Sequence, residues 1–279
     1  MTAPRYHPEE ARQPRDATHW ARYVETLKAP DGIVNPNVEG RRMVGPLQGF
    51  GKMWQKTYRV HLEDVSPVEV VAIWRERFPE ISGFGTGFCV PSGGLAPGAV
   101  ALLGGGLTGV MVLYSDESSF TYMTPEGHPF SGWTTFSAYG DEEGTTVAQT
   151  QLLIRANDPL YEVIMPLGLH RVEDRTWQRT LHNLATYFGS NGEVETRVVC
   201  VDPKRQWRRY TNIRYNALIL SVLHAFSRRP KDRRSLSASQ QGTNGGEVIR
   251  LSKRFEKKPM FRERASAADQ NQKAEMLTG

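Results

Sequence analysis

Between residues 84 and 156 the chain alternates short β-prone runs with turn clusters, spaced so closely that only antiparallel neighbours can be joined. The runs are 87–91, 99–103, 108–115, 119–124, 132–139 and 145–155; between them stand connectors such as "SGGLAP", "GGG", "DES", "PEGHPF" and "GDEEG". Parallel pairing needs a crossover of about a dozen residues. The connectors here are shorter, so the pattern predicts a meander of six strands.

One connector carries a dinucleotide-like motif, Gly104-x-Gly106-x-x-Gly109, with Asp116 and Glu117 downstream. In a true fingerprint the last glycine opens a helix whose N-terminus holds a pyrophosphate. Here "VMVLY" follows, and Asp116-Glu117-Ser118 turns the chain again. The acidic pair also arrives well before the usual ribose-binding position, about 20 residues on. The glycines are therefore read as a strand-to-strand turn that uses positive φ, and no cofactor is expected.

Flanking elements complete the pattern. In 52–62, Trp54, Lys56, Tyr58 and Val60 alternate with Gln55, Thr57 and Arg59, the period of a half-exposed strand. Ser66, Pro67 and Glu69 mark a helix start, and Val70, Trp74 and Phe78 form its apolar stripe. After Asp158-Pro159 a helical period runs through Leu160, Ile164, Leu167, Val172, Trp177, Leu181, Leu184 and Phe188, with Gly189 as a C-cap. Pro166 and Gly168 kink or split it. Residues 1–50 read as an irregular arm with one short helix in "ATHWARYVETL".

The charge is unevenly distributed. Residues 1–189 hold 16 Lys/Arg against 21 Asp/Glu, whereas 190–279 hold 19 against 9. No apolar run of about 20 residues exists to span a bilayer, and the polar start lacks the apolar stretch of a secretory signal. Cys89 and Cys200 make no disulfide framework or metal cluster. The expected setting is cytoplasmic, at most peripheral at the inner membrane face.

The order strand, capped helix, antiparallel strands, long helix resembles the helix-grip fold of the START-related (SRPBCC) superfamily. The resemblance lies in "KMWQKTYRVHLEDVSPVEVVAIWRE", "SFTYMTPEGHPFSGWTTFSAY" and "GLHRVEDRTWQRTLHNLATYFG". The Gly127-His128-Pro129 turn is similar to that of an uncharacterised bacterial branch, although Trp133 stands where that branch usually has an acidic residue. The resemblance covers about 50–189. It implies an α+β domain, a seven-stranded antiparallel sheet curved around a long C-terminal helix, with a cavity between them. It implies no single activity. The expected organisation is an arm (1–50), this domain (51–189), a basic extension (190–234) and a disordered tail (235–279).

Candidate site residues follow. Glu126 and His128 share one turn, either as an acid/base pair or as solvated turn residues. Tyr122, Trp133, Phe136 and Trp177 form either an aromatic ligand wall or an ordinary core. Gln149 and Gln151 share one strand face, and the period leaves open whether that face is the cavity or the wet side. His170, Glu173 and Asp174 begin the long helix, with His170 and Asp174 one turn apart as a surface ion pair; no metal site is expected, since neither a His-x-x-x-His nor a Cys partner accompanies them.

In the extension, "RVVCV" reads as a strand, and Tyr215, Leu218, Ile219, Val222, Leu223 and Phe226 form an apolar helical stripe. Arg205, Arg208 and Arg209 precede it; Arg228 and Arg229 follow. The stripe docks on the body, or lies on an anionic membrane surface with the arginines at the headgroups. Trp207 among arginines is the only hint of nucleic acid, with no binding motif to support it. The expected function is binding of a hydrophobic small molecule, lipid or polyketide-like, with no cofactor. The alternatives are a cyclase or dehydratase-type enzyme using His128 and Glu126, and an interaction module with a filled cavity.

Overall fold

The computed structural model describes residues 16–30, 35–91 and 93–227. The fold is α+β, built on an eight-stranded open antiparallel sheet. Its strands are β1 (Met43–Val44), β2 (Met53–Leu62), β3 (Val100–Leu103), β4 (Thr108–Ser115), β5 (Ser119–Pro125), β6 (Phe130–Gly140), β7 (Thr146–Ala156) and β8 (Glu195–Asp202). They run in the order β3-β4-β5-β6-β7-β2-β8, with β1 paired to β5. Every pairing is antiparallel.

The strand count differs from the expected seven for identifiable reasons. Residues 87–91 do not form a strand: Gly85 adopts φ +58°, a 3-10 turn spans Gly85–Gly87, and one bridge, Cys89 to Leu102, is all that follows before Pro91. The arm instead supplies β1, and the basic extension supplies β8 beside β2. The three glycines Gly104–Gly106 form a tight turn between β3 and β4, all at positive φ (62°, 66° and 93°). Only glycine takes three such residues in succession without strain.

Helix α1 (Pro67–Glu76) begins where the cap predicts, with Ser66 Oγ accepting from the Glu69 N–H at 3.3 Å. Val70, Trp74 and Phe78 are fully buried. Pro79 cannot continue the ladder, and the chain resumes as the single turn α2 (Phe78–Ile81). The long helical pattern splits at Pro166 and Gly168 into α3 (Pro159–Ile164), a π turn (Met165–Leu169) and α4 (His170–Tyr187); Gly168 sits at φ 141°. Gly189 closes α4 at φ 75°.

Alternation places Tyr58, Val60, Val110, Val112, Phe120, Tyr122, Phe136, Leu152 and Ile154 on one sheet face, packed with Trp74, Phe78, Trp177, Leu181 and Leu184 of the helices. The intervening residues face the other side. There the arm covers part of the sheet: Leu27, Val38, Val100, Leu102 and Met111 make a second apolar cluster. The helix expected in "ATHWARYVETL" is absent. A 3-10 turn spans Ala17–His19, capped by Asp16, and then Trp20 bridges to Tyr114 while the Ala21 N–H donates to the Leu113 carbonyl. Pairing to the sheet satisfies these backbone groups in place of a helical ladder.

The sheet continues across residue 189. After β8, a 3-10 helix (Trp207–Tyr215) leads into α5 (Ala217–Ser227). Arg155, buried in β7, donates to the carbonyls of Gly51 (2.6 Å) and Lys204 (2.9 Å) and pairs with Asp202. Asn216 donates to Asp158 at 2.9 Å, and its own carbonyl oxygen accepts from the Ile219 N–H, capping α5. Arg228, Arg229 and the tail expected to be disordered lie outside the described residues.

Candidate functional site

A cavity of about 270 Å³ lies between the inner sheet face and the first half of α4. Its sheet wall includes Val110 of β4, Tyr122 and Thr124 of β5, Phe130 and Thr134 of β6, and Leu152 and Ile154 of β7. Leu169, Val172, Glu173, Thr176 and Trp177 face it from the helix side. Phe84 and Phe88 also line it, and the glycine turn contributes Gly104, Leu107 and Thr108. The arm fixes that turn: Asn35 donates to the Gly106 carbonyl and Asn37 to the Leu107 carbonyl. The glycines therefore shape a cavity wall.

The lining is apolar with a few polar groups. The Tyr122 and Thr108 hydroxyls, Trp177 Nε1 and Glu173 Oε1 are all buried without a hydrogen-bond partner. The Trp177 indole lies near Glu173 and draws its pKa down slightly, short of good hydrogen-bond geometry. Burial pushes the Tyr122 hydroxyl pKa well up, with nothing to oppose it.

His128 also lines this cavity and is 8% exposed. Burial lowers its pKa to about 4, so the ring is neutral at pH 7. Its Nδ1 lies 3.0 Å from both the N–H and the carbonyl of Phe130. An orphaned N–H is the rarer and costlier defect, so Nδ1 accepts from Phe130 and the ring proton sits on Nε2.

Beside the cavity is a buried charged cluster. Lys56 projects from the inner face of β2 and is fully buried. Its Nζ lies 2.7 Å from both Glu173 Oε2 and Asp174 Oδ1, and the Tyr58 hydroxyl donates to the same Asp174 oxygen at 2.6 Å. Burial holds Glu173 above the usual carboxylate range even against Lys56. The nearby His170 ring packs edge-on to Trp54 and is lowered to about 4, by burial first and then by Lys56. Charge at the helix wall is thus internally paired.

The expected site residues separate into two groups. Tyr122, His128 and Trp177 line the cavity. Phe136 is fully buried in the core, packed against Trp74, Phe78, Phe120 and Tyr122, and is not part of the wall. Trp133 is on the outer face, its ring under Gly45 of the arm. Gln149 and Gln151 share that outer face, since Leu152 and Ile154 take the inner one; Gln149 accepts from Arg59 Nε at 2.7 Å.

Glu126 does not pair with His128. Its Oε1 accepts from Arg42 Nε and Nη2, at 3.0 and 2.6 Å, and its backbone N–H donates to the Arg42 carbonyl. A carboxylate tied to an arginine of the arm leaves the histidine without that partner, so the acid/base alternative finds no pair here, and the buried His128 is not a solvated turn residue either. The expected surface pair of His170 with Asp174 is likewise replaced, because Asp174 is drawn to the buried Lys56 ammonium. Arg205 pairs with Glu162 at 3.0 Å, while Arg208 and Arg209 are exposed. Of this cluster the sequence analysis gives Lys56 no site role; the signal lies in its place on the same alternating face as Trp54, Tyr58 and Val60. No cluster of His, Cys, Asp and Glu among the described residues has the makings of a metal site.

No family model matches this chain, and no curated protein does. Among solved structures it is similar to a protein of Nitrosospira multiformis (18% identity, TM-score 0.34), over 48% of this chain and 95% of that one. It is also similar to the protein XoxI of Bacillus cereus (12%, TM-score 0.34; 48% and 94% covered) and to one from Thermobifida fusca solved by NMR (16%, TM-score 0.35; 48% and 93% covered). All three are structural genomics targets.

Proposed function

We propose that this chain binds a compact, mostly apolar small molecule between its sheet and α4, in a helix-grip architecture of the START-related kind. The cavity carries the reading: about 270 Å³ of space whose wall keeps the Tyr122 and Thr108 hydroxyls buried without partners. Buried polar groups in folded proteins are nearly always paired, and a bound guest supplies the missing partners. The volume falls just below the usual range of ligand sites, about 300 to 1,000 Å³. It suits a molecule of one or two rings better than a whole lipid.

The test is native mass spectrometry and solvent extraction of the full chain purified without detergent, followed by thermal unfolding with the extracted compounds added back. A co-purifying small molecule that raises the unfolding temperature supports the reading. Protein that is consistently empty, and unmoved by any extract, refutes it.

A second part of the reading concerns α5. Leu218, Val222, Leu223 and Phe226 are exposed, with Arg208 and Arg209 exposed nearby in sequence. An apolar row with basic residues suits the interface of an anionic bilayer. Sedimentation with phosphatidylserine vesicles at low and high salt checks this; protein that stays in the supernatant at every salt level excludes it. Among the described residues no helix is long and apolar enough to cross a membrane.

A further inference from the structure

The unengaged polar groups on the sheet side of the cavity differ in kind from those on the helix side. The helix side holds Glu173, whose charge Lys56 already meets at 2.7 Å, and the Trp177 indole N–H, which lies beside that same carboxylate. The sheet side holds groups that can donate. His128 has Nδ1 committed to Phe130, and Nε2 has no partner among the described residues. In that tautomer Nε2 is a donor only. The Tyr122 hydroxyl lies on β5, two residues from Thr124 on the same strand face, and the Thr108 hydroxyl lies on the neighbouring β4; both are buried and unpartnered. Thr124 has its own hydroxyl engaged with Gly132.

We propose that the cavity selects a neutral, ring-sized molecule bearing a carbonyl-type acceptor, with the His128 Nε2–H reading that oxygen and the Tyr122 and Thr108 hydroxyls beside it. This rests on the small-molecule reading above and narrows it. An anion is disfavoured because no positive charge is free at this wall: His128 is neutral, Lys56 is held by two carboxylates, and Arg42 is held by Glu126. A plain hydrocarbon leaves the three donors unpaired, at the cost of burying them unsatisfied.

The test uses three probes of one shape: 1-tetralone, tetralin and tetralin-1-carboxylate. Binding to the full chain is measured by isothermal titration calorimetry and by ligand-observed NMR. The ketone is expected to bind about tenfold more tightly than the hydrocarbon, the equilibrium value of a well-made neutral hydrogen bond or two, with the carboxylate weakest. In Tyr122→Phe and His128→Phe the preference for the ketone over tetralin shrinks toward unity. The wild-type comparison stands alone should His128→Phe fail to fold. Equal binding of ketone and hydrocarbon overturns this inference and leaves the cavity reading standing. Tightest binding of the carboxylate also overturns it, as does a ketone preference that survives both substitutions. Failure of all three probes to bind overturns this inference and counts against the cavity reading itself.

Discussion

Acidification should destabilise this fold through His128 by an amount that can be worked out. Burial lowers its pKa from 6.5 to about 4 in the folded chain. The unfolded chain therefore binds this proton more tightly, and stability rises with pH across the window between those values. The contribution is complete above about pH 6.5 and is lost progressively as pH falls toward 4. One pKa unit is about 1.36 kcal/mol, so the whole effect is about 3 kcal/mol, of which about 2 is gone by pH 5. His170, also lowered to about 4, acts in the same direction. Glu173 acts oppositely: its raised folded pKa makes the folded chain hold a proton more tightly as pH falls below 7. Lys56, Asp174 and Tyr58 surround Glu173, and none of them is hydrogen-bonded to His128. Comparing wild type with His128→Gln removes these shared terms. The glutamine carbonyl can still accept from the Phe130 N–H. Urea unfolding of both proteins at pH 8 and pH 5 should show wild type losing about 2 kcal/mol more than the variant. Equal losses, or an NMR titration midpoint for His128 near 6.5, would refute the burial argument.

Three further outcomes are expected. Lys56→Met should cost about 3 to 5 kcal/mol at neutral pH, because the buried Glu173 and the half-buried Asp174 lose the cation they share; the urea midpoint reads this, and the loss should shrink as pH falls and Glu173 takes a proton. Thr108→Val removes a buried unpartnered hydroxyl at nearly constant shape, so the empty protein should gain about 1 kcal/mol, visible as a higher midpoint in the same assay. Gly127→Ala should displace the segment leading into α5: Gly127 sits at φ +86°, and an added Cβ would stand 2.1 Å from the Tyr215 carbonyl oxygen. Amide exchange across 207–227 should then quicken while β2 and β7 remain protected.

Much of the architecture was legible because it depends on local chemistry. Close turn spacing required antiparallel strands, Ser66 and Pro67 started α1, and Pro166 with Gly168 broke the long helix. What escaped was decided by contacts distant in the chain. Nothing in "ATHWARYVETL" announces that Ala21 will bond to Leu113, since its apolar spacing suits a helix equally well. A period of two separates the faces of β7 without saying which is inner, so Gln149 and Gln151 stayed undecided until Leu152 and Ile154 took the cavity side. Tyr122 and Trp177 line the cavity, whereas Phe136 and Trp133, of similar chemistry, do not; depth and side are set by pairing register. Glu126 and His128 are neighbours in one turn, yet Arg42, 84 residues away, draws the carboxylate off.

β8 bears on how the molecule can be divided. It pairs with β2 from Met53 to Arg59, and Asp202 at its end meets the Arg155 guanidinium. Ending the polypeptide at Gly189 would strip one rail of β2 of its ladder and strand a cation in the interior. The sequence reads as a basic extension from there on; the molecule uses that segment as a splint, and shortened versions should retain residues through at least 216, where Asn216 fastens to Asp158.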